Sequence, residues 1–285
     1  MMHLALLLHP AQTLALDSWT IHPSTVIGLT ALGWLYFARA RAATGVGPST
    51  GQRVAFFGGL VLLFLILNGP LHDLSDFYLF SGHMVQHLIM ELIVPPLLLA
   101  GTPGWMLRPA LQWPVVGWLA RRVTTPIMAF SIFNVTLAVW HIPALYNLAL
   151  LHHNVHILQH LTFLVASVLM WWPFMSSLPE LPRLSYPGQM LYCFLMTLPM
   201  SVVAVYITMA DTVLYPLYAS SPRLWGLSPK MDQQIGGLIM WIPGGLFFYG
   251  IMTVVFFRWQ RQGNAGDGVA EAQGSSGALA PAAGR

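Results

Sequence analysis

The chain has 285 residues, of which 56% are hydrophobic and only 7% charged, and its mean hydropathy is +0.66. That is too little charge to clothe a soluble surface, which excludes an ordinary soluble globular protein. The net charge of +3 and pI of about 9.2 come without Lys/Arg clustered on one face, which excludes a nucleic-acid partner, and the single cysteine, Cys193, excludes an intrachain disulfide or a Cys-x-x-Cys metal motif.

Residues 1–21 form an N-terminal segment whose LALLL run (residues 4–8) is short, lacks a basic flank and is followed by Asp17 and Trp19. The pattern is not that of a cleaved signal peptide, and the expected mature chain starts near Met1. A membrane span needs about 20 mostly apolar residues. Seven stretches qualify, at 22–40, 53–71, 82–100, 124–142, 155–173, 187–209 and 233–257. The expected fold is therefore all-α: a polytopic bundle of seven transmembrane helices over 22–258, with Pro199 and WIPGG (241–245) kinking the sixth and seventh spans or permitting close packing. The remainder, 259–285, is mainly Gly, Ala and Ser and is expected to be a disordered cytoplasmic tail.

Basic residues set the orientation. Arg39, Arg41 and Arg53 flank the first loop, Arg108, Arg121 and Arg122 the third, Arg183 the fifth, and Arg258 and Arg261 follow the last span, whereas the alternate loops hold Arg223 and Lys230. The positive-inside rule then places the N-terminus outside, the C-terminus inside, and the loops joining spans 2–3, 4–5 and 6–7 outside. All 11 histidines fall on the outward side: His3, His9, His22, His72, His83, His87, His141, His152, His153, His156 and His160. Imidazole is the commonest protein metal ligand, so this outward layer suggests metal binding.

Two of these stretches repeat a motif, HMVQHL (83–88) and HILQHL (156–161), 73 positions apart. The repeat extends upstream, since GPLHDLSDFYLFSGHMVQHL (69–88) aligns with IPALYNLALLHHNVHILQHL (142–161) and keeps Pro70 over Pro143. Each unit is a helix end, an outward loop and the start of the next span, which makes a parallel repeat. Residues at i and i+4 share a helical face about 6 Å apart along the axis, so His83 pairs with His87 and His156 with His160. Glu91 follows one turn deeper on the third span, where an ionisable group needs a partner. Gln86 and Gln159 are positioned to orient ring nitrogens. Alternatives to a metal site are a hydrogen-bonded polar layer and haem ligation.

Soft donors lie at similar depth: Met196, Met200 and Met209 lead to Asp211 on the sixth span, and the seventh runs from Asp232, Gln233 and Gln234 past Met240. Thioethers favour Cu(I) and imidazoles suit copper and zinc, although methionine also fills gaps in ordinary cores. Asn68, His72, Asn134 and His141 sit at outer helix ends, where they can complete the layer. The candidate ligands are His83, His87, His156, His160, Glu91, His141, Met209 and Asp232.

The stretches HMVQHLIMELIVPPLLLAGTP (83–103), VWHIPALYNLAL (139–150), HILQHLTFLVASVLMWWP (156–173) and DQQIGGLIMWIPGG (232–245) resemble, in combination and order, the CtaG family of seven-helix cytochrome c oxidase assembly factors. The resemblance covers about residues 19–258. It implies a non-enzymatic role in maturing a haem-copper terminal oxidase in the cell's inner (plasma) membrane, by supplying or placing copper. The implied partners are subunits of the terminal oxidase, a periplasmic or other extracytoplasmic copper donor, and the lipid bilayer. By motif position, His83, His87, His141, His156, His160, Asp232 and Gln233 carry over. Two rival classes stand beside it. One is a membrane zinc hydrolase with Glu91 or Asp232 as general base, for which no His-Glu-x-x-His motif speaks. The other is a b-type cytochrome with bis-His haem between the third and fifth spans.

Overall fold

The computed structural model describes residues 19–43 and 45–277, with side chains described through residue 262. The LALLL segment, His3, His9 and residues 278–285 lie outside the described residues. Among the described residues there are thirteen helices and no strand, so the all-α expectation holds.

Proline and a capping box start the helices. Helix α1 (Pro23–Arg41) opens on a proline at its first position, where the missing N–H costs nothing. Helix α2 (Thr50–Asn68) opens on a reciprocal cap: Ser49 Oγ accepts from the Gln52 N–H at 3.2 Å and Gln52 Oε1 accepts from the Ser49 N–H at 2.9 Å. The short α3 (Pro70–Phe77) starts on Pro70. Next come α4 (Phe80–Leu92) and α5 (Val94–Gly101), which together make one 22-residue apolar span. They part at Ile93 because Pro95 and Pro96 follow, and proline neither donates to the helix ladder nor favours helical geometry before it. Helices α6 (Gly104–Leu111), α7 (Pro114–Val123) and α8 (Pro126–Trp140) follow, then the short α9 (Pro143–Leu151), which begins on Pro143 as α3 begins on Pro70. The long α10 (His153–Met175), α11 (Tyr186–Met209), the one-turn α12 (Pro216–Ser220) and α13 (Pro229–Gly277) complete the chain.

Among the described residues, five helical stretches are long and apolar enough to cross a membrane: α2, α4–α5, α10, α11 and Pro229–Gln262 of α13. The predicted span 124–142 is shorter than expected, because α8 holds only 15 residues. It reaches membrane length only together with α7, bent against it by 79°, since Thr124, Thr125 and Pro126 interrupt the helix. Counting that pair gives six. The predicted first span, α1, has 19 residues but dilutes its apolar run with Ser24, Thr25, Thr30, Arg39 and Arg41. Large apolar side chains turn outward on many of these helices, among them Ile27 and Trp34 on α1, Ile127 and Val135 on α8, Leu158 and Val165 on α10, and Val202 on α11. In water such a surface would aggregate. It matches the hydrocarbon core of a bilayer, which rewards no polar side chain.

Close approach of α4, α11 and α13 is set by glycine. A Cβ at Gly236 would collide with the Phe80 ring and one at Gly237 with Thr208 Oγ1. The small-residue step in DQQIGG therefore lets α13 lie against both neighbours.

At one end of the bundle the three short helices meet. Tyr218 of α12 donates from its hydroxyl to the Ser75 carbonyl of α3 at 2.7 Å and lies 3.1 Å from the Tyr146 hydroxyl of α9. Tyr215 Oη donates to the His141 carbonyl at 3.0 Å, and its ring stacks on Phe80 with centroids 4.7 Å apart. The segment before α1 joins the same end, where the Thr20 hydroxyl donates to Asp73 Oδ1 at 2.9 Å. Loops 2–3, 4–5 and 6–7 thus share one side. Arg108, which pairs with Glu180 at 2.9 Å, belongs to the other set of loops.

Candidate metal centre

Helix α4 begins where an anion holds it. Asp232, in the first turn of α13, accepts the Phe80 N–H at 2.7 Å, the Ser81 N–H at 3.1 Å and the Ser81 hydroxyl at 2.5 Å. A carboxylate there satisfies orphan donors and complements the positive end of the helix dipole. Gln233 ties the α11–α12 connection to α13: its Oε1 accepts from the Leu214 N–H at 2.7 Å and its Nε2 donates to the Ile207 and Thr212 carbonyls, each at 3.2 Å. Asp232 thereby fixes the start of α4, and with it the placement of His83 and His87, while Gln233 fixes α11 beside it.

One turn into α4 the histidine pair meets its counterpart from α10. The ring centroids of His83 and His87 are 4.4 Å apart, those of His87 and His160 5.2 Å, those of His83 and His156 5.9 Å, and those of His156 and His160 4.3 Å. All four therefore form one cluster. Within it, His83, His87 and His160 each offer a donor atom, the three atoms lying within 4.8 Å of one another, and Asp76, His83 and His156 form a second such group. His83 is common to both. Two nitrogens on one tetrahedral ion, each at about 2.0–2.1 Å, stand about 3.3 Å apart, and His156 Nε2 and His160 Nε2 face each other at 3.1 Å.

The donors fit an ion as well as the distances do. Both nitrogens of His83 and the Nε2 of His87 are buried without a hydrogen-bond partner, although buried polar groups are ordinarily paired. The other nitrogen of His87 is held: Nδ1 lies 3.1 Å from Glu91 Oε1. This carboxylate–imidazole contact orients the ring and leaves Nε2 to bind, as metal-ligating histidines commonly require. His141 is prepared in the same way. Its Nδ1 donates to the Leu137 carbonyl at 2.7 Å, so the hydrogen is on Nδ1 and the unpartnered Nε2 carries the lone pair.

A residue that sequence reasoning overlooked completes the second group. Asp76 Oδ2 of α3 lies 3.2 Å from His156 Nδ1 and 3.4 Å from His72 Nε2. Burial opposes ionisation of Asp76, but the neighbouring His156 and His72 more than offset it and hold the carboxyl well below its usual range. His72, on the same short helix, has its imidazole pushed down by burial, partly offset by Asp76. The signal was present in HDLSD (72–76), where the His72/Asp76 spacing is four. Gln86 positions His72 from α4: its Nε2 donates to the Ile66 carbonyl at 2.6 Å and touches His72 Nδ1 at 3.2 Å, while its Oε1 accepts from the Ser75 hydroxyl at 2.8 Å. A groove of ≈ 190 Å³ beside α1, α2 and α10, with apolar walls including Leu29, Leu63 and Leu67, reaches His72, His156 and His160 from the side.

Of the eight candidate ligands, the cluster therefore contains His83, His87, His156 and His160, with Glu91 behind His87. His141 lies on the inner edge, sharing Phe163 as a ring neighbour with His87 at centroid distances of 6.2 and 4.7 Å. Asp232 lies apart, engaged by the backbone of α4. Met209 lies apart as well: its side chain is 65% exposed, because nine residues at 100° each place it half a turn around α11 from the buried Met200.

The model of the cytochrome c oxidase caa3 assembly factor family matches residues 31–262. Uncharacterised proteins of Mycobacterium bovis and Mycobacterium tuberculosis are each 29% identical over 250 residues, covering 81% of this chain and 37% of theirs, and one of Mycobacterium leprae is 25% identical over 261 residues, covering 84% and 39%. The chain thus spans less than two-fifths of the length of these relatives. No solved structure matches it. The family match takes in every helix that contributes to the histidine cluster, and on that ground the chain belongs to the cytochrome c oxidase caa3 assembly factors.

Proposed function

We propose that this chain matures a haem-copper terminal oxidase by holding copper in the α4–α10 histidine cluster and passing it to an oxidase subunit. The observation that carries this reading is the group His83, His87 and His160, in which the nitrogens of His83 and the Nε2 of His87 are buried and unpaired. Imidazoles suit copper, and Asp76 supplies negative charge that offsets the charge of the ion. The ring-to-ring contacts inside the cluster leave no slab for a macrocycle, which favours an ion over haem. Glu91 is committed to His87, and Asp232 to α4, which favours binding and transfer over hydrolysis.

The reading includes a topology of seven spans, with α1 as the first, the N-terminus and histidine end outside, and the C-terminus inside the plasma membrane. The copper donor is extracytoplasmic. A reporter fused after Arg261 should be active only inside, and a cysteine placed in 146–154 should react with an impermeant label from outside. Labelling of that loop only after the inner face is opened inverts the topology. For function, deleting the gene should lower terminal oxidase activity, and added copper should partly restore it. Full copper occupancy and normal activity in the deletion strain under low-copper growth would overturn the assignment.

The metal itself is tested on purified protein. The double variants His83→Ala/His87→Ala and His156→Ala/His160→Ala should each abolish essentially all bound copper, because neither leaves a three-imidazole group. Retention of half the copper in both would mean two independent sites. A Soret band in place of copper would return the protein to the haem reading.

A further inference from the structure

Below the histidine cluster, away from the lateral groove, the bundle encloses a second and different set of donors. A cavity of ≈ 10 Å³ is lined by Met84, Met200 and Met240, by His87 and His141, and by Glu91. Its walls come from α4, α8, α11 and α13, so it lies where four elements converge. The three methionines are buried, with 2%, 4% and 3% of their surface exposed. The volume is near the lower limit for one water, about 10–15 Å³, so a single water or a single small ion fits.

Methionine is an ordinary filler of irregular cores, and three of them alone would mean nothing. What distinguishes this cavity is its two histidines. His87 and His141 are both buried, both have Nδ1 engaged, and both leave Nε2 without a partner. An apolar core that needed only filling would not carry two prepared imidazole lone pairs beside three thioethers. Gly244 supports the same conclusion: a Cβ there would stand 3.0 Å from Met200 Cε and 3.1 Å from its Sδ. The glycine keeps the space into which Met200 extends.

We infer that this cavity is a Cu(I) site, built from the thioethers of Met84, Met200 and Met240 with Nε2 of His87 or His141, to which copper passes from the histidine cluster. This inference rests on the copper reading of that cluster and deepens it. Thioether sulfur selects Cu(I), whereas zinc and Cu(II) prefer harder donors. His87 belongs to both sets, being one of the three histidines above and lining the cavity below. Transfer is then ligand exchange at one shared imidazole, with copper remaining Cu(I) throughout and no electron or proton acceptor required. The sulfur-rich site is the more selective of the two, so a cluster that tolerates zinc feeds a cavity that does not.

The test is anaerobic loading of the purified full-length protein with Cu(I) alone, read by X-ray absorption. Selenomethionine-labelled protein provides a direct copper–selenium signal, and Zn(II) loading serves as the comparison. Wild type should show copper–sulfur or copper–selenium scattering, and Zn(II) should show only nitrogen and oxygen neighbours. Met200→Leu/Met240→Leu conserves volume and so keeps the fold, and it should lose most of the sulfur signal, with Met84 alone remaining, while the histidine-bound metal persists. Gly244→Ala should reduce the same signal by displacing Met200. Wild-type Cu(I) with nitrogen neighbours alone means that a water or nothing occupies the cavity, and it overturns this site while leaving the histidine reading intact. A sulfur signal unchanged in His83→Ala/His160→Ala keeps the deep site but overturns its supply from the cluster. No copper in the wild type at all overturns both.

Discussion

In α4 the polar side chains of the motif HMVQHL are buried: His83 and Gln86 at 0% exposure, His87 at 4%. In α10 the same letters HILQHL bury His156 and Gln159, at 7% and 1%, but leave His160 only half-buried, with Leu158 and Leu161 about half exposed. The surroundings differ as much as the burial. At the aligned positions the first copy has Asp76 and Glu91, and the second has Ala149 and Leu164. Gln86 makes three contacts, while Gln159 Oε1 has none. A repeat can preserve ligand geometry while concentrating charge and second-layer support in one unit. On the copper reading, the first copy would hold the ion, and the second, next to the lateral groove, would admit it.

The largest effect should come from breaking the two aligned leading histidines separately. His83 belongs to both donor groups and His156 to one. His83→Ala should remove essentially all bound copper, and His156→Ala should leave one ion per chain on His83, His87 and His160. Metal analysis after gel filtration decides it, and equal losses would mean that the copies are equivalent. Acidification sharpens the same comparison. Imidazole binds metal only when neutral, so falling pH should release the ion as protons compete for the ring nitrogens. Because Asp76 stays ionised well below the usual carboxylate range, its charge persists through that window. The release should therefore track the imidazoles, with its midpoint moved to higher pH in an Asp76→Asn variant, which lacks that constant charge beside His83 and His156. A release curve unchanged in that variant would show that the carboxylate does not help to hold the ion.

A smaller effect is expected from Glu91, the carboxylate that the second copy lacks. Loss of a residue that orients a ligating imidazole typically costs 10–100-fold in metal affinity. Glu91→Ala should fall in that range, Glu91→Gln should retain more by still accepting from His87 Nδ1, and Leu164→Ala at the aligned position should leave affinity unchanged. Competition with a chelator of known affinity measures all three. Equal effects of Glu91→Ala and Leu164→Ala would show that His87 is oriented by packing alone.

These contrasts mark how far the sequence could be read. The apolar runs made most spans legible, since a bilayer admits few ways to satisfy the backbone. The 124–142 stretch overran its helix, because α8 opens only at Pro126 and closes at Trp140, ahead of Pro143, which leaves 15 residues. The i, i+4 spacing made both histidine pairs legible. Asp76 was not, because it acts from a short loop helix, and its nearness to His156 depends on how α3 folds back onto α4. Met209 and Met200 looked alike in sequence, yet lie on opposite faces of α11. Asp232 read as a ligand because it heads the seventh span at similar depth to the other donors and carries over by motif position, whereas in the structure it caps the open end of α4.

The least effect separates the two glutamines, and it tests whether the inner copy is the better supported one. Gln86 joins α2, α3 and α4 by hydrogen bonds to Ile66, His72 and Ser75. Removing it strands buried partners, a loss of about 1–3 kcal/mol for each group left unsatisfied. Gln159 is as buried, at 1% exposure, but its Oε1 has no partner, so its removal relieves a cost that the fold already bears. Gln86→Ala should therefore lower the unfolding midpoint in detergent by several degrees, whereas Gln159→Ala should leave it unchanged or slightly raise it. Metal loading supplies the second half of the test. If Gln159 Oε1 accepts a hydrogen bond only when the cluster is loaded, Gln159→Ala should lose part of the copper-induced stabilisation while the apo protein is unaffected. Equal destabilisation of the two apo variants would show that the outer copy is as tightly supported as the inner one, and the asymmetry between them would then lie in the carboxylates alone.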